Sequence, residues 1–188
     1  MRTLSVFNSV SLDGYFVDRH GDMSWAHQNS DDPEWGSFVQ GNASGGGVLA
    51  FGRVTYQMMA NYWSSPMAMQ SNPVVADRMN ALQKIVFSRT LRDAPWRNTT
   101  LVKGDLPAEV RRLKSAPGEG IVILGSGTII AQLAAEGLID QYQIVVTPIV
   151  LGAGRTMFDG VANRLRLKLV ESRTFRNGNV VLSYQPMT

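Results

Sequence analysis

Cysteine is absent from the 188-residue chain. Disulfides, thiolate metal sites and cysteine nucleophiles are therefore excluded. Histidine occurs only as His20 and His27, without a partner at ligand spacing, which argues against a structural zinc site. No apolar run approaches the roughly 18 residues that a membrane-spanning helix needs. The N-terminal MRTLSVFNSVSLDGYF places Ser5, Asn8, Ser9 and Ser11 where a secretion signal would be continuously apolar. A soluble, cytoplasmic protein without a membrane partner is expected. Long blocks of one charge are also missing. The net charge is +3, with a pI near 9.4, and the densest basic group is only Arg111, Arg112 and Lys114. Without a basic stripe interleaved with aromatics, nucleic acid is not an expected partner. A pocket for an anionic small molecule suits the same charge balance.

What is present is an ordinary globular composition, 44% hydrophobic and 18% charged, of a length that suits one domain over residues 1–188. Residues 3–10 read as a strand, followed by a long loop to about Ser30 containing Asp13-Gly14, Asp18 and Gly21. DDPEWGSFV has a helix-start pattern, with Asp32 as cap and Pro33 in the first turn. GGVLAFG (46–52) is a buried strand, and RVTYQMMANYW carries Tyr56, Met59 and Trp63 at helical spacing, suited to core or a subunit interface. SSPMAMQSNPV, with two prolines, reads as irregular. KIVFS (84–88) and TTLVKG (99–104) are strands, LPAEVRRLK a short helix, GIVILG a strand, TIIAQLAAEGLID a helix, and YQIVVTPIVLG another strand. The alternation of strand and helix implies parallel pairs buried on both faces. RLRLKLVESRTF, a turn at Asn177-Gly178 and VVLSY then add an antiparallel edge.

The stretch ILGSGT (123–128) resembles a dinucleotide fingerprint only in part, because the third glycine position is Ile130. The chain beyond it is too short and too antiparallel for an ordinary doubly wound dinucleotide domain. The local physics still suits an anion. Gly125 and Gly127 permit close backbone approach, the next helix start offers free amides, and Ser126 and Thr128 add hydroxyls. A tight strand-to-helix turn would require the same glycines. FGRVTY repeats the arrangement, with Gly52, Arg53 and Thr55 at a strand end and helix start, and IVFSR ends a third strand in Ser88 and Arg89. Each arginine alone could be a solvated surface residue. Together the three strand ends suit a ligand site.

SLDGYF, FGRVTY, IVFSR, ILGSGT and VVTPIVLGAGRTMF, in this order, resemble the dihydrofolate reductase-like superfamily. The resemblance is to the stand-alone branch related to the C-terminal reductase domain of the bifunctional riboflavin-biosynthesis deaminase-reductases. It implies an α/β fold around a central, mostly parallel eight-stranded sheet with an antiparallel C-terminal edge and flanking helices. It further implies NADPH as cofactor. Gly52, Arg53 and Thr55 would form one phosphate-binding turn, Ser88 and Arg89 would meet the adenosine ribose phosphate, and Gly125, Ser126, Gly127 and Thr128 would lie under the pyrophosphate. Gly152 and Gly154, either side of Ala153, resemble a family loop near the active site. Asp13 and Trp25 fall on the first loop, which faces nicotinamide and substrate in the family. Where the bifunctional enzymes often carry a lysine, FNSVSLDG has none.

Asp13 is the candidate for orienting substrate or relaying a proton, with a turn role as its alternative. Trp25 would wall the pocket or anchor the loop in the core. Asp31, Asp32 and Glu34 are read as helix-capping groups. The resulting expectation is an NADPH-dependent reductase, assembled as a homodimer and acting on a small heterocyclic (pterin- or pyrimidine-like) or carbonyl substrate. The alternative is a catalytically silent nucleotide- or ligand-binding protein that retains the reductase fold.

Overall fold

A computed structural model describes residues 1–27, 32–44 and 47–187. Among the described residues, ten strands and six α-helices follow one another. The strands are β1 (Leu4–Ser11), β2 (Tyr15–Asp18), β3 (Val48–Gly52), β4 (Gln83–Phe87), β5 (Thr99–Val102), β6 (Ile121–Leu124), β7 (Gln141–Thr147), β8 (Gly154–Thr156), β9 (Leu167–Thr174) and β10 (Val180–Pro186). The helices are α1 (Pro33–Ser44), α2 (Arg53–Trp63), α3 (Pro66–Ser71), α4 (Pro73–Ala81), α5 (Leu106–Ser115) and α6 (Gly127–Ala135).

Eight strands form one sheet in the order β5-β4-β3-β6-β1-β7-β10-β9. From β5 to β7 all pairs are parallel, while β10 pairs antiparallel with both β7 and β9. This is the mostly parallel sheet with an antiparallel C-terminal edge that the sequence pattern implies. The central strands are apolar because helices cover both faces. On one face α5 and α6 pack Val110, Ile129, Ile130 and Leu133 against Val6, Ile85 and Ile123. On the other, α2 and α4 set Tyr56, Val75 and Met79 against Leu49, Phe51 and Val86, and α1 brings Trp35 and Phe38 to Val145, Phe175 and Val181. Each such side chain contributes about 1.5–3 kcal/mol of burial.

Four stretches differ from the sequence expectation. SSPMAMQSNPV is two helices: Pro66 and Pro73 each occupy a first turn, where proline's missing N–H costs nothing, and Ser65 and Asn72 cap them by accepting from Ala68 N and Val75 N. The long first loop contains β2, paired antiparallel with β8, and a 3-10 turn at Ser24–His27. The helix expected to reach residue 140 ends at Ala135. Gly137 turns left-handed there, and Leu138 N donates to Leu133 O. The strand expected to run to residue 152 stops at Thr147, ahead of Pro148, leaving 148–153 as a loop over β1's end.

Candidate functional site

The connection after β3 runs through α2, α3 and α4 to β4, toward one edge of the sheet. The connection after β6 runs through α6 to β7, toward the other. Since β3 and β6 are neighbours, their carboxyl ends diverge into a crevice, the general ligand position in such sheets. The expected residues Gly52, Arg53, Thr55, Gly125, Ser126, Gly127 and Thr128 meet at this crevice.

Ser126 holds its two sides together. Its hydroxyl accepts from Gly52 N at 2.8 Å and donates to Leu124 O at 3.0 Å, and its own amide donates to Thr55 Oγ1 at 3.0 Å. Asn8 on β1 fastens the loop from below, accepting from Gly125 N at 2.7 Å and donating to Gly125 O at 3.0 Å. Sequence reasoning did not single out Asn8; the available signal was one asparagine inside an apolar alternation. Gly125 and Ser126 are both left-handed, with φ of 59° and 62°. For Ser126 this costs about 1–2 kcal/mol. A Cβ on Gly125 would stand 2.6 Å from Thr55 Cγ2, and one on Gly127 would stand 3.2 Å from the Phe16 ring. Internal packing and its left-handed backbone therefore require glycine at 125, while the buried Phe16 of β2 covers Gly127 closely enough that a Cβ there would press on its ring.

The amides of Gly52, Gly125 and Ser126 are thus already engaged. The donors left for a ligand belong to the first turns of α2 and α6, neither of which has a side-chain cap. Their amides and helix dipoles favour an anion. Arg53 is exposed at the start of α2, its guanidinium donating to Gln57 Oε1 at 3.2 Å, and Thr128 is exposed at the start of α6. At the end of β4, Ser88 Oγ accepts from Thr90 N and Leu91 N, shaping a turn on which Arg89 is exposed.

The first loop is clasped to the loop after β7. Asp13 accepts from Ser11 Oγ at 2.7 Å, Leu151 N at 3.1 Å and Gly152 N at 2.8 Å. The Ser11 hydroxyl foremost, with the two amides, holds its carboxyl below the ordinary carboxylate range. Gly152 is left-handed. Gly154 pairs with Asp18, and a Cβ there would collide with the Val17 carbonyl. Trp25 is buried, its indole N–H donating to Asp22 O at 3.2 Å. Asp32 is buried and caps α1 through Glu34 N and Trp35 N, also accepting from Asn177 N at 3.2 Å. Burial opposes its charge, but these amides outweigh it and its pKa lies below the ordinary value. Asp31 lies outside the described residues. Glu34 pairs with Arg173 at 2.8 Å.

Beside the crevice, a cavity of about 410 Å³ lies against the sheet face covered by α1, α2 and α4, within the ordinary ligand-pocket range. Leu124 and Phe7 line it, and each immediately precedes a residue of the Gly125–Asn8 fastening.

Residues 2–181 match the RibD C-terminal domain. The chain belongs to that family. It is 27% identical over 176 residues to the uncharacterized protein YyaP of Bacillus subtilis, covering 94% of this chain and 90% of YyaP. A solved structure of a putative riboflavin biosynthesis protein from Shewanella sp. PV-4 superposes with a TM-score of 0.75 at 24% identity, the match covering 99% of both chains. The Thermotoga maritima diaminohydroxyphosphoribosylaminopyrimidine deaminase/5-amino-6-(5-phosphoribosylamino)uracil reductase superposes with a TM-score of 0.70 at 14% identity, over 99% of this chain and 57% of that one. The chain thus has the dihydrofolate reductase-like fold of RibD-type reductase domains. Among the described residues there is no cluster able to hold a metal ion and no helix long and apolar enough to cross a membrane.

Proposed function

We propose that the protein is an NADPH-dependent reductase that transfers a hydride to a small heterocyclic or carbonyl substrate. The observation that carries this is the convergence of two helix N-termini without side-chain caps on the switch-point crevice, beside Arg53. The first turns of α2 and α6, with Thr55 and Thr128, would hold the cofactor's phosphates, and Gly52, Gly125, Ser126 and Gly127 shape the turns that present them. Arg53 and Arg89, with Ser88, would receive the adenosine phosphate, which favours NADPH over NADH. When bound, NADPH supplies the hydride; the protein contributes position and polarity. Asp13 acts as the clasp that fixes Leu151 and Gly152 over the end of β1. Gly154 sets the β2–β8 ribbon, and Trp25 anchors the first loop.

A catalytically silent ligand-binding protein is the second reading. It is favoured by Asp13, whose carboxylate is already committed to three donors. Calorimetric titration with NADPH and NADH tests the first reading. NADPH binding at least about tenfold tighter, lost in Arg53→Ala with Arg89→Ala, is expected. Equal affinities, or no binding of either, would overturn it. NADPH binding without oxidation against pterin, pyrimidine, quinone and carbonyl compounds would leave the silent reading. We further infer that the protein is a homodimer.

A further inference from the structure

The crevice and the neighbouring cavity differ in charge. The crevice has two helix N-termini and the exposed Arg53. The cavity is walled by Phe7, Leu49, Val122, Met59, Trp63 and Met79. Its polar end consists of side-chain amides and hydroxyls, including Asn42, Gln143 and Ser183, and its one charged group among the described residues is Glu171 on β9. Asn42 Nδ2 donates to Gln143 Oε1 at 3.2 Å, so this end presents paired amides rather than a cation. No lysine, arginine or histidine lines the cavity, and none occurs among residues 28–31, 43–46 or 188. The nearest buried ammonium, Lys84, is spent behind the wall: it donates to the carbonyls of Met79 at 2.8 Å, Asn80 at 3.2 Å and Leu82 at 2.6 Å.

An anion entering such a space would lose hydration and gain no cationic partner, while Glu171 repels it. A neutral or cationic ring system would lose little. It would gain contacts with a tryptophan, a phenylalanine and two adaptable methionines. We infer that this cavity is the substrate pocket and that it selects an uncharged or cationic, ring-bearing apolar compound and rejects phosphorylated or otherwise anionic ones. This rests on the reductase reading in taking the occupant to be the substrate. The division of labour is then electrostatic: the crevice takes the anionic cofactor and the cavity the uncharged partner. Leu124–Gly125 on β6 and Phe7–Asn8 on β1 form the boundary between them.

Two probes of nearly equal size separate the alternatives: menadione, which is neutral, and 1,4-naphthoquinone-2-sulfonate, its anionic counterpart. Binding of each is measured by calorimetry on the full chain without cofactor. Menadione should bind at least about tenfold more tightly than the sulfonate. Glu171→Lys, a change at an exposed position, should bring the sulfonate to parity or better. Val122→Phe should abolish menadione binding while NADPH affinity is retained. If Val122→Phe does not fold, the Glu171→Lys result decides. Equal binding of the two probes, preference for the sulfonate, no menadione binding, or a preference unmoved by Glu171→Lys would each overturn the inference. Menadione binding with the expected charge preference but no NADPH oxidation would count against the reductase reading and leave the cavity's selectivity standing.

Discussion

Ser126 combines an unfavourable backbone with three favourable hydrogen bonds, and those bonds join the starts of both helices at the crevice. In Ser126→Ala the left-handed cost remains while Gly52 N loses its acceptor. A loss of about 2 kcal/mol in unfolding free energy is expected, the usual cost of stranding a partly buried amide, together with weaker NADPH binding. Chemical denaturation and calorimetry check the two effects. Asp13 is the residue at which sequence reasoning left two roles open, and its geometry is that of a clasp. Its carboxyl is held below its ordinary value of 3.8, so the folded state favours the charged form. The stabilisation is complete above that ordinary value and is lost as pH falls through the lower, folded value. The amide resonances of Leu151 and Gly152 should therefore hold their shifts from neutral pH down to the carboxylate range and move together below it. In Asp13→Asn those shifts should be displaced at every pH, because one of the two amides then faces an NH₂ group. Unchanged resonances in that variant would remove the clasp.

At the scale of elements, legibility followed periodicity. Of the parallel strands, β3, β4 and β6 were readable because burial on both faces leaves short apolar runs between turn signals, as in VLAFG and IVIL, while β1 was readable from Leu4 and Val6 alternating with polar neighbours. The α3–α4 pair was not, because two prolines in eight residues resemble a loop until each is recognised as a first-turn residue behind Ser65 and Asn72. β2 and β8 were missed because strands of four and three residues carry too little alternation to register. The candidate site was legible in part: Gly52 and Arg53 after β3 and Gly125 to Thr128 after β6 are glycine-bearing strand ends that the fold brings side by side. That Phe16 occupies the face of Gly127, and that Asn8 reads both backbone groups of Gly125, depends on strands distant in sequence. The end of α4 offers a test of the same long-range logic. Lys84 closes that helix by donating to three carbonyls, with its ammonium 4.4 Å from the centre of the Trp96 ring. Burial, then the Arg97 charge, lowers its pKa to about 8, so near neutral pH it remains an ammonium with three donors for three acceptors. Lys84→Met would leave the Met79 and Leu82 carbonyls without that donor, while Asn80 O keeps Arg97 Nε at 2.9 Å, and a loss of about 2–3 kcal/mol in denaturant unfolding is expected. A loss within about 0.5 kcal/mol, the range of ordinary surface changes, would show that water replaces the lysine.

On the scale of the whole molecule, the question is which surface a second copy would cover. One candidate is the stretch after β7 together with the C-terminal strands. There the exposed apolar groups are Val150, Leu169 and Val170, but the edge strand β9 is guarded by Lys168 and by a register irregularity opposite Ser183 and Tyr184, both devices that discourage strand addition. The outer face of α2 has no such protection. Val54, Met58 and Tyr62 recur every fourth residue, so they form one stripe, and they are 68%, 42% and 43% exposed. Met67 on α3 is also exposed. A contiguous apolar stripe of this kind is unfavourable in water and suits a self-complementary two-fold contact. A dimer through α2 would also place the helix start proposed to bind the cofactor's phosphates, with Arg53, next to the subunit boundary, so that ordering of α2 by assembly would favour binding there. Sedimentation at micromolar concentration should show a species of about 41 kDa, twice the chain mass of 20.6 kDa. Met58→Glu should convert it to the single-chain mass and weaken NADPH binding, whereas Leu169→Lys should leave the dimer intact. A wild-type protein found only at the single-chain mass would reject the homodimer. A dimer broken by Leu169→Lys and not by Met58→Glu would return the contact to the C-terminal edge.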